Sequence, residues 1–400
     1  MSPLDTSPLT ALVAGQRTGQ ALDRALYMDP AMFERDMQRL FLRHWLCVGH
    51  ASQLPNPGDY ITTEYGGESV IIARGKDGAV RAMLNVCRHR GAELCAGHAG
   101  TAAFFACPYH GWTYGLDGSL ESARHMPADF DRAAHALKSV TCRVIQGVIF
   151  ISFAEVPLEF GHVEATLNGS LGRYGWANAR VAHRETYPIA ANWKLAVENY
   201  VECYHCSPSH PEYSKLHALE QPAPRIAKLN AAMEARTRAL GIEVATLTHW
   251  TSANGEEAID CFRYALYDGI STGSPDGSPV APLMGDFTGY DGGVTSIHLG
   301  PASFLVAYAD HGVIYRFMPR THDTCEMELL WLVRADAEAG RDFDLEALTW
   351  LWRITSEADK RIIEHTARGV RSRFYVPGPL APMEANEQRY LEWYLGEVAG

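Results

Sequence analysis

The 400-residue sequence has no stretch of about 18 consecutive apolar residues, the length a helix needs to cross a bilayer, so no membrane span is expected. It also lacks a surplus of positive charge: 35 Lys+Arg stand against 47 Asp+Glu, a formal net charge of −12. Nucleic acid and anionic membranes are bound through clustered cations that displace counterions, so neither is an expected partner. The opening stretch MSPLDTSPLTALVAGQ has no basic segment followed by an apolar one, which leaves an unexported, cytoplasmic chain as the expectation. No G-x-G-x-x-G run follows a strand pattern, so no nicotinamide or flavin fingerprint is present. Internal repeats and low-complexity tails are absent too. Nine cysteines remain. An odd number in a chain without an export signal argues against a disulfide framework and for reduced or metal-bound thiols.

What is there is globular: 47% hydrophobic and 20% charged residues, enough chain for a large core and two domains. Residues 31–46 place Phe33, Met37, Leu40, Phe41 and Trp45 at helical spacing. From about 44 to 155, short β-branched and aromatic runs (Tyr60–Thr63, Ser69–Ala73, Val80–Val86, Val148–Phe153) alternate with turn residues, predicting a small all-β module with a hairpin at Lys76-Asp77-Gly78. Residues 268–293 hold seven Gly and three Pro and read as a long surface loop, either a lid or a disordered insertion. Two or three strands are expected over 294–334 around a turn at Asp310-His311-Gly312, with Phe304, Val306 and Tyr308 on one face. A last long helix is expected over about 343–368.

Inside the β module stand Cys87-Arg88-His89 and, after 17 intervening residues, Cys107-Pro108-Tyr109-His110. Each pair is short enough for one tight loop to aim both side chains at one point, and two such loops make a four-ligand metal site. Ligand count alone leaves zinc and iron–sulfur chemistry both open. In a Rieske [2Fe–2S] centre two Cys hold one iron and two His the other, so each loop should carry one of each, as both do here. The runs CRHRGAELC and CPYHGWTYGLDG resemble the two cluster loops of the Rieske family; structural zinc is the competing reading. Cys47, Cys95, Cys142, Cys261 and Cys325 read as buried small residues, and Cys203 and Cys206 have no assigned task.

A second signature lies in NWKLAVENYVECYHCSPSH, residues 192–210. Asn192 can cap a helix packed through Val197, Tyr200, Val201 and Tyr204, on which Glu198, Glu202 and His205 share a face at i, i+4, i+7. Pro208 then ends the helix, and His210 returns from a loop to meet His205. Two histidines beside acidic residues suit a 2-His-1-carboxylate site for non-haem Fe(II). The third ligand must come from elsewhere. Asp359 continues the apolar stripe Leu345, Leu348, Trp352, Thr355, Asp359, Ile362, Thr366, and a buried carboxylate needs a partner, either a ferrous ion or a hydrogen-bond donor such as a Trp or a backbone amide.

Together these features resemble the catalytic α subunit of Rieske-type non-haem iron oxygenases over about residues 30 to 395. The resemblance implies an α+β chain: an N-terminal helical segment (1–43) packing on the catalytic domain, an all-β Rieske [2Fe–2S] domain (44–155), and a helix-grip catalytic domain of antiparallel sheet and helices (156–400). It carries Cys87, His89, Cys107 and His110 over as cluster ligands, His205, His210 and Asp359 as ligands of mononuclear Fe(II), and Glu202 with Asn199 as catalytic residues. In the family the carboxylate at Glu202 links one subunit's Rieske histidine to the neighbouring subunit's iron histidine, which implies a head-to-tail ring, a homotrimer. O2 is then the co-substrate, and electrons originating from NAD(P)H arrive through a separate flavin/iron–sulfur reductase. Many aromatic-ring-hydroxylating members have Asp where this chain has Glu202. The run ENYVECYHCSPSHPE looks most like the branch acting on quaternary ammonium compounds such as choline, glycine betaine, carnitine and stachydrine. The implied reaction is hydroxylation or oxidative N-demethylation of a quaternary or tertiary N-methyl compound, with hydroxylation of an aromatic acid as the alternative. A quaternary ammonium ion is recognised by aromatic faces, and the candidates are Trp250, Tyr264, Phe304 and Tyr308 first, with Phe262, Tyr267, Tyr315 and Phe317, against a reading in which they only pack the core.

Overall fold

The structure, a computed structural model, describes residues 7–219, 222–250 and 255–399. The alternating runs of the first half form an antiparallel sheet in the spatial order Leu46–His50, Val148–Ser152, Ser139–Ile145, Val80–Leu84, Glu68–Arg74, Asp59–Tyr65, Ala99–Thr101. The turn at Lys76-Asp77-Gly78 closes with Gly75 N–H donating to Ala79 O at 2.8 Å, and Gly78 adopts φ +82°, which favours glycine. A separate small sheet of Phe105–Ala106, Thr113–Tyr114 and Leu120–Ser122 carries the second Cys/His loop in its first hairpin.

The second half is built on another antiparallel sheet, ordered Ala179–Ile189, Thr324–Arg334, Gly312–Thr321, Ser303–Ala307, Gly293–Leu299, Ile259–Ala265, Leu247–His249. Residues 294–334 therefore make four strands, where two or three were expected. The period of two sorts their side chains cleanly. Phe304 and Val306 face one core, closed by the helices Trp193–Val201 and Leu345–Val370, whereas Leu305 and Ala307 face another, closed by the Gly161–Ser170 helix. Tyr308 joins the Phe304 side.

The 268–293 segment is not a disordered insertion. It is an ordered connector whose Met284 and Phe287 join the second core, and buried Asp310 ties it down by accepting from Thr272 Oγ1 at 2.8 Å and Val280 N at 3.0 Å. The expected 31–46 helix is shorter: it runs Pro30–Asp36, continues as a π-turn over Met37–Phe41, and stops before Trp45. Its core face meets the catalytic half directly. Phe41 packs edge-on to Trp193 with centroids 4.9 Å apart, and buried Asp36 pairs with Lys194 and accepts from Tyr394 Oη at 2.9 Å. In the long helix, capped by Asp344 accepting from Ala347 N at 2.8 Å, the buried stripe drifts after Asp359 to Ile363, Ala367 and Val370, leaving Thr366 exposed. A straight helix of 3.6 residues per turn rotates away from a strict three-and-four pattern.

Candidate metal centres and the adjoining cavity

The two Cys/His loops share one backbone design. Gly91 N–H donates to Cys87 O at 2.9 Å and Gly111 N–H to Cys107 O at 3.0 Å, while Cys87 N–H reaches Ala92 O and Cys107 N–H reaches Trp112 O at 2.9 and 2.8 Å. Gly91 and Gly111 sit at φ +77° and +70°, so backbone conformation selects glycine at both turns. Cys87 and Cys107 are buried in a shared small core, whereas His89 and His110 are exposed with ring centroids 4.6 Å apart. Tyr114 accepts from Arg88 N at 3.0 Å, which frees its O–H to point at Cys87 Sγ, 3.3 Å away. A hydroxyl aimed at sulfur favours a thiolate, and two buried sulfurs opposite two exposed imidazoles fit a [2Fe–2S] cluster with one of each residue per loop. Asn85 braces the first loop, accepting from Leu94 and Cys95 N–H and donating to Cys95 O at 2.8 Å. Sequence reasoning missed Asn85 and Tyr114; only their cross-loop contacts single them out.

The second centre departs from its expected local structure. Asn192 does cap the helix, accepting from Lys194 N at 3.0 Å, but the helix ends at Val201 and Glu202 turns extended. Glu198, Glu202 and His205 therefore do not share one helical face, and Glu198 instead accepts from Tyr27 Oη at 2.7 Å. His205 and His210 bracket a single short turn, Cys206–Ser209. Cys203 and Cys206 form a disulfide that ties the segment before the turn to its first residue, with Cα atoms 4.9 Å apart, contrary to the expectation of reduced or metal-bound thiols. Of the remaining cysteines, Cys142 is half-buried and the others are buried.

Asp359 Oδ1 lies 3.3 Å from His205 Nε2 and 3.6 Å from His210 Nε2, and it is buried with no aligned hydrogen-bond donor. A carboxylate oxygen left in that state is costly unless a cation sits among the three groups. Cys206 also falls beside the two imidazoles, but its sulfur is engaged by Cys203, so the carboxylate is the available third donor. Two imidazoles and one carboxylate fit a non-haem ferrous ion with open positions. Burial alone would lower the His205 pKa, but the facing Asp359 and Glu202 carboxylates outweigh it and raise it to about 10; burial lowers that of His210. The Glu202 carboxylate accepts from His205 Nδ1 and from the Tyr204 and His205 amides, orienting the imidazole from behind. Asn199 Nδ2 is 3.3 Å from His205 Nε2.

A cavity of about 240 Å³ opens beside these groups, lined by Asn199, Glu202, His205, His210 and Asp359 with Tyr200, Tyr213, Phe262, Tyr264 and Trp352. Of the eight aromatic candidates, Phe262 and Tyr264 line it. Trp250 and Phe304 line a smaller neighbouring pocket, and Tyr308 lies behind, within 2.8 Å of His217 Nε2. Tyr213 and Trp352 were missed, although Tyr213 is three residues past His210 and Trp352 two turns before Asp359 on one helix face. A further cavity of about 360 Å³ meets Glu202 and His205 from the other side and is lined by Glu198, Glu384 and Glu387.

An all-β module with paired Cys/His loops, on one chain with a two-histidine, one-carboxylate centre, is the architecture of a Rieske non-haem iron oxygenase. Residues 44–141 match the Rieske [2Fe-2S] domain and residues 176–400 the ring hydroxylating alpha subunit (catalytic domain). The chain belongs to this family of Rieske oxygenase α subunits, whose cofactors are the cluster and a mononuclear iron. It is 35% identical over 399 residues to the glycine betaine monooxygenase oxygenase subunit of Chromohalobacter salexigens, covering 96% of this chain and 87% of that one. The corresponding subunit of Pseudomonas aeruginosa is 36% identical over 381 residues, with 94% and 88% covered. In fold, the chain resembles the quaternary ammonium Rieske monooxygenase CntA, solved with an inhibitor, at TM-score 0.74 and 23% identity over 98% of both chains. No described helix is long and apolar enough to cross a membrane.

Proposed function

We propose that the chain is the oxygenase subunit of a monooxygenase that hydroxylates an N-methyl carbon of a small quaternary ammonium compound of the betaine type. The observation that carries this reading is the composition of the cavity wall: five aromatic rings and the carboxylates Glu202 and Asp359, with no Arg or Lys among the described residues that line it. Aromatic faces and acidic groups stabilise a cation that cannot hydrogen-bond. The volume is below the ~300–1,000 Å³ of drug-sized pockets, as suits a small substrate. The names of the two bacterial relatives support the same substrate class.

Cys87, His89, Cys107 and His110 would hold the cluster and His205, His210 and Asp359 the iron. When bound, these groups supply single electrons and O2 activation. The protein's part is to seat the N-methyl group against the imidazoles, with Tyr213, Tyr264 and Trp352 around the ammonium and neutral donors such as Thr355 and Asn386 for a substrate carboxylate. Substrate, O2, two electrons and two protons give the N–CH2OH product and water; cleavage of the N–C bond, with its electron pair left on nitrogen, then releases formaldehyde, the tertiary amine and the hydroxyl proton.

Glu202 lies between the inner cavity and the acidic outer one, a position that supports electron entry through it. On the cluster side, His89 and His110 are exposed, and the outward-facing ring of Tyr109 lies 3.8 Å from that of His110 between centroids, which supports docking of that edge on a neighbouring subunit's Glu202 in a homotrimer. A separate flavin/iron–sulfur reductase supplies electrons from NAD(P)H, and the assembly works in the cytoplasm. The test is a formaldehyde-release screen over glycine betaine, choline, carnitine and benzoate with a surrogate reductase. O2-dependent formaldehyde from a betaine is expected; turnover of benzoate with none of the ammonium compounds would overturn the reading in favour of an aromatic-ring hydroxylase.

A further inference from the structure

Outside both iron centres, a third set of ligand-bearing side chains converges at the edge of the catalytic sheet. His249 ends the edge strand Leu247–His249, Glu256 precedes the paired strand Ile259–Ala265, and His162 lies in the first turn of the Gly161–Ser170 helix. One donor atom of each lies within 4.8 Å of the other two. The two imidazole rings are 4.3 Å apart between centroids and inclined by 58°.

The hydrogen bonds decide which nitrogens are available. His162 Nε2 is 2.9 Å from the Glu257 carbonyl oxygen, which only accepts, so Nε2 carries the proton and Nδ1 bears the lone pair. That Nδ1 is buried and has no hydrogen-bond partner. His249 Nε2 stands 2.6 Å from Glu256 Oε2, yet it too has no aligned hydrogen bond. Donor atoms that close on each other side-on, next to a buried lone pair, are arranged as ligands around a shared cation. A histidine that binds metal through one nitrogen ordinarily donates the other N–H to a carbonyl or carboxylate, which fixes its tautomer and orientation.

The carbonyl that orients His162 is itself held rigidly. The buried Glu257 side chain accepts from Trp45 N at 2.7 Å and meets His44 Nδ1 at 2.8 Å. The Glu159 backbone brackets the same segment, donating to Gly255 O and accepting from Glu257 N, both at 2.9 Å. The ligand set is thus preorganised by groups that play no part in the oxygenase chemistry.

We propose that His162, His249 and Glu256 form a second metal site that binds Zn2+. Two neutral imidazoles and one carboxylate are a zinc ligand set, and the side chains of His249 and Glu256, 25% and 33% exposed, admit water to a fourth position. The bound ion ties the edge hairpin of the sheet to the Gly161–Ser170 helix.

The test is equilibrium dialysis of the iron-replete, full-length protein against Zn2+ alone, with zinc and iron measured together. One zinc per chain is expected at undiminished iron content. His162→Gln and His249→Gln should each weaken uptake by at least about tenfold while the visible cluster spectrum is retained. Zinc K-edge absorption of the loaded wild-type protein should show nitrogen and oxygen neighbours with imidazole scattering, a readout that stands even if a variant does not fold. No uptake at micromolar zinc, uptake matched by an equal loss of iron, sulfur ligation, or undiminished uptake in both folded variants would each overturn the proposal.

Discussion

Replacing Glu202 by Gln separates two roles that one carboxylate is positioned to perform. In the structure it accepts from His205 Nδ1 through one oxygen and from the Tyr204 and His205 amides through the other. Gln has a single acceptor oxygen. The variant therefore keeps a neutral bond to one set of donors and loses the other. Exchanging a charge-assisted bond for a neutral one removes about 1–1.5 kcal/mol, and the lost acceptor about 1 kcal/mol more. If that loss falls on the orientation of His205, iron affinity drops roughly 10–100-fold, the range found when a group behind a metal ligand is removed. Such a deficit is overcome by loading iron well above its dissociation constant. Turnover of the metal-replete variant then reports on electron entry alone. The assay is single turnover: pre-reduce the cluster, mix with substrate and O2, and follow the return of the oxidised cluster's visible absorption together with formaldehyde. Glu202→Gln with both metals bound should leave the cluster reduced and form no product. Reoxidation and product formation at the wild-type rate would refute the relay and leave Glu202 with an orienting role only.

Asp359→Ala should lose mononuclear iron while the cluster spectrum survives, since Asp359 touches only the second centre; full iron content by metal analysis would refute the ligand assignment. Lys194→Met strands Asp36 in a site where both side chains are almost fully buried, and should lower stability by about 3–5 kcal/mol in urea unfolding; a loss below about 1 kcal/mol would contradict it. Tyr264→Leu should raise KM for an ammonium substrate far more than it lowers kcat, by removing a ring from the cavity wall. Stability should peak between about pH 6 and 7. For His44, burial is outweighed by the Glu257 and Glu397 carboxylates, which hold its pKa at about 9, so its stabilisation is full below 6.5 and is lost as pH rises through 9. Burial raises Glu198 from 4.5 to about 8, so the fold disfavours its ionisation; this contribution is full below 4.5 and is lost as pH rises through 8. Burial lowers His50 and His217 from 6.5 to about 4, so their stabilisation is present above 6.5 and is lost as pH falls through 4. Urea midpoints from pH 4 to 9 check this, and a flat profile from 7 to 9 would count against the His44 and Glu198 reasoning.

The two metal signatures were legible because their residues are close in the chain. Cys87 with His89, Cys107 with His110, and His205 with His210 are each joined by a few bonds, so covalent spacing limits where they can point. The strand alternation of Phe304 and Val306 against Leu305 and Ala307 was readable for the same reason, since neighbouring residues of a strand face opposite ways. The end of the helix at Val201 was not. Tyr204 and His205 continue an acceptable helical pattern, but Glu202 takes their amide hydrogens with its side chain, and that competition ends the helix. The Cys203–Cys206 pairing follows from the turn that results.

The sequence by itself determined the class of chemistry, because ligand type and local spacing are properties of the chain, and it marked Asp359 by placing a charge on an apolar stripe. Only the tertiary structure decided what the iron ligands face. Tyr213 and Trp352 line the cavity while Trp250 and Tyr308 do not, and His162 meets His249 and Glu256 across a sheet edge. The physical reason is common to both. Periodicity assigns a side chain to a buried face, but long-range packing decides whether that face meets a cavity, another ring or a second set of ligands.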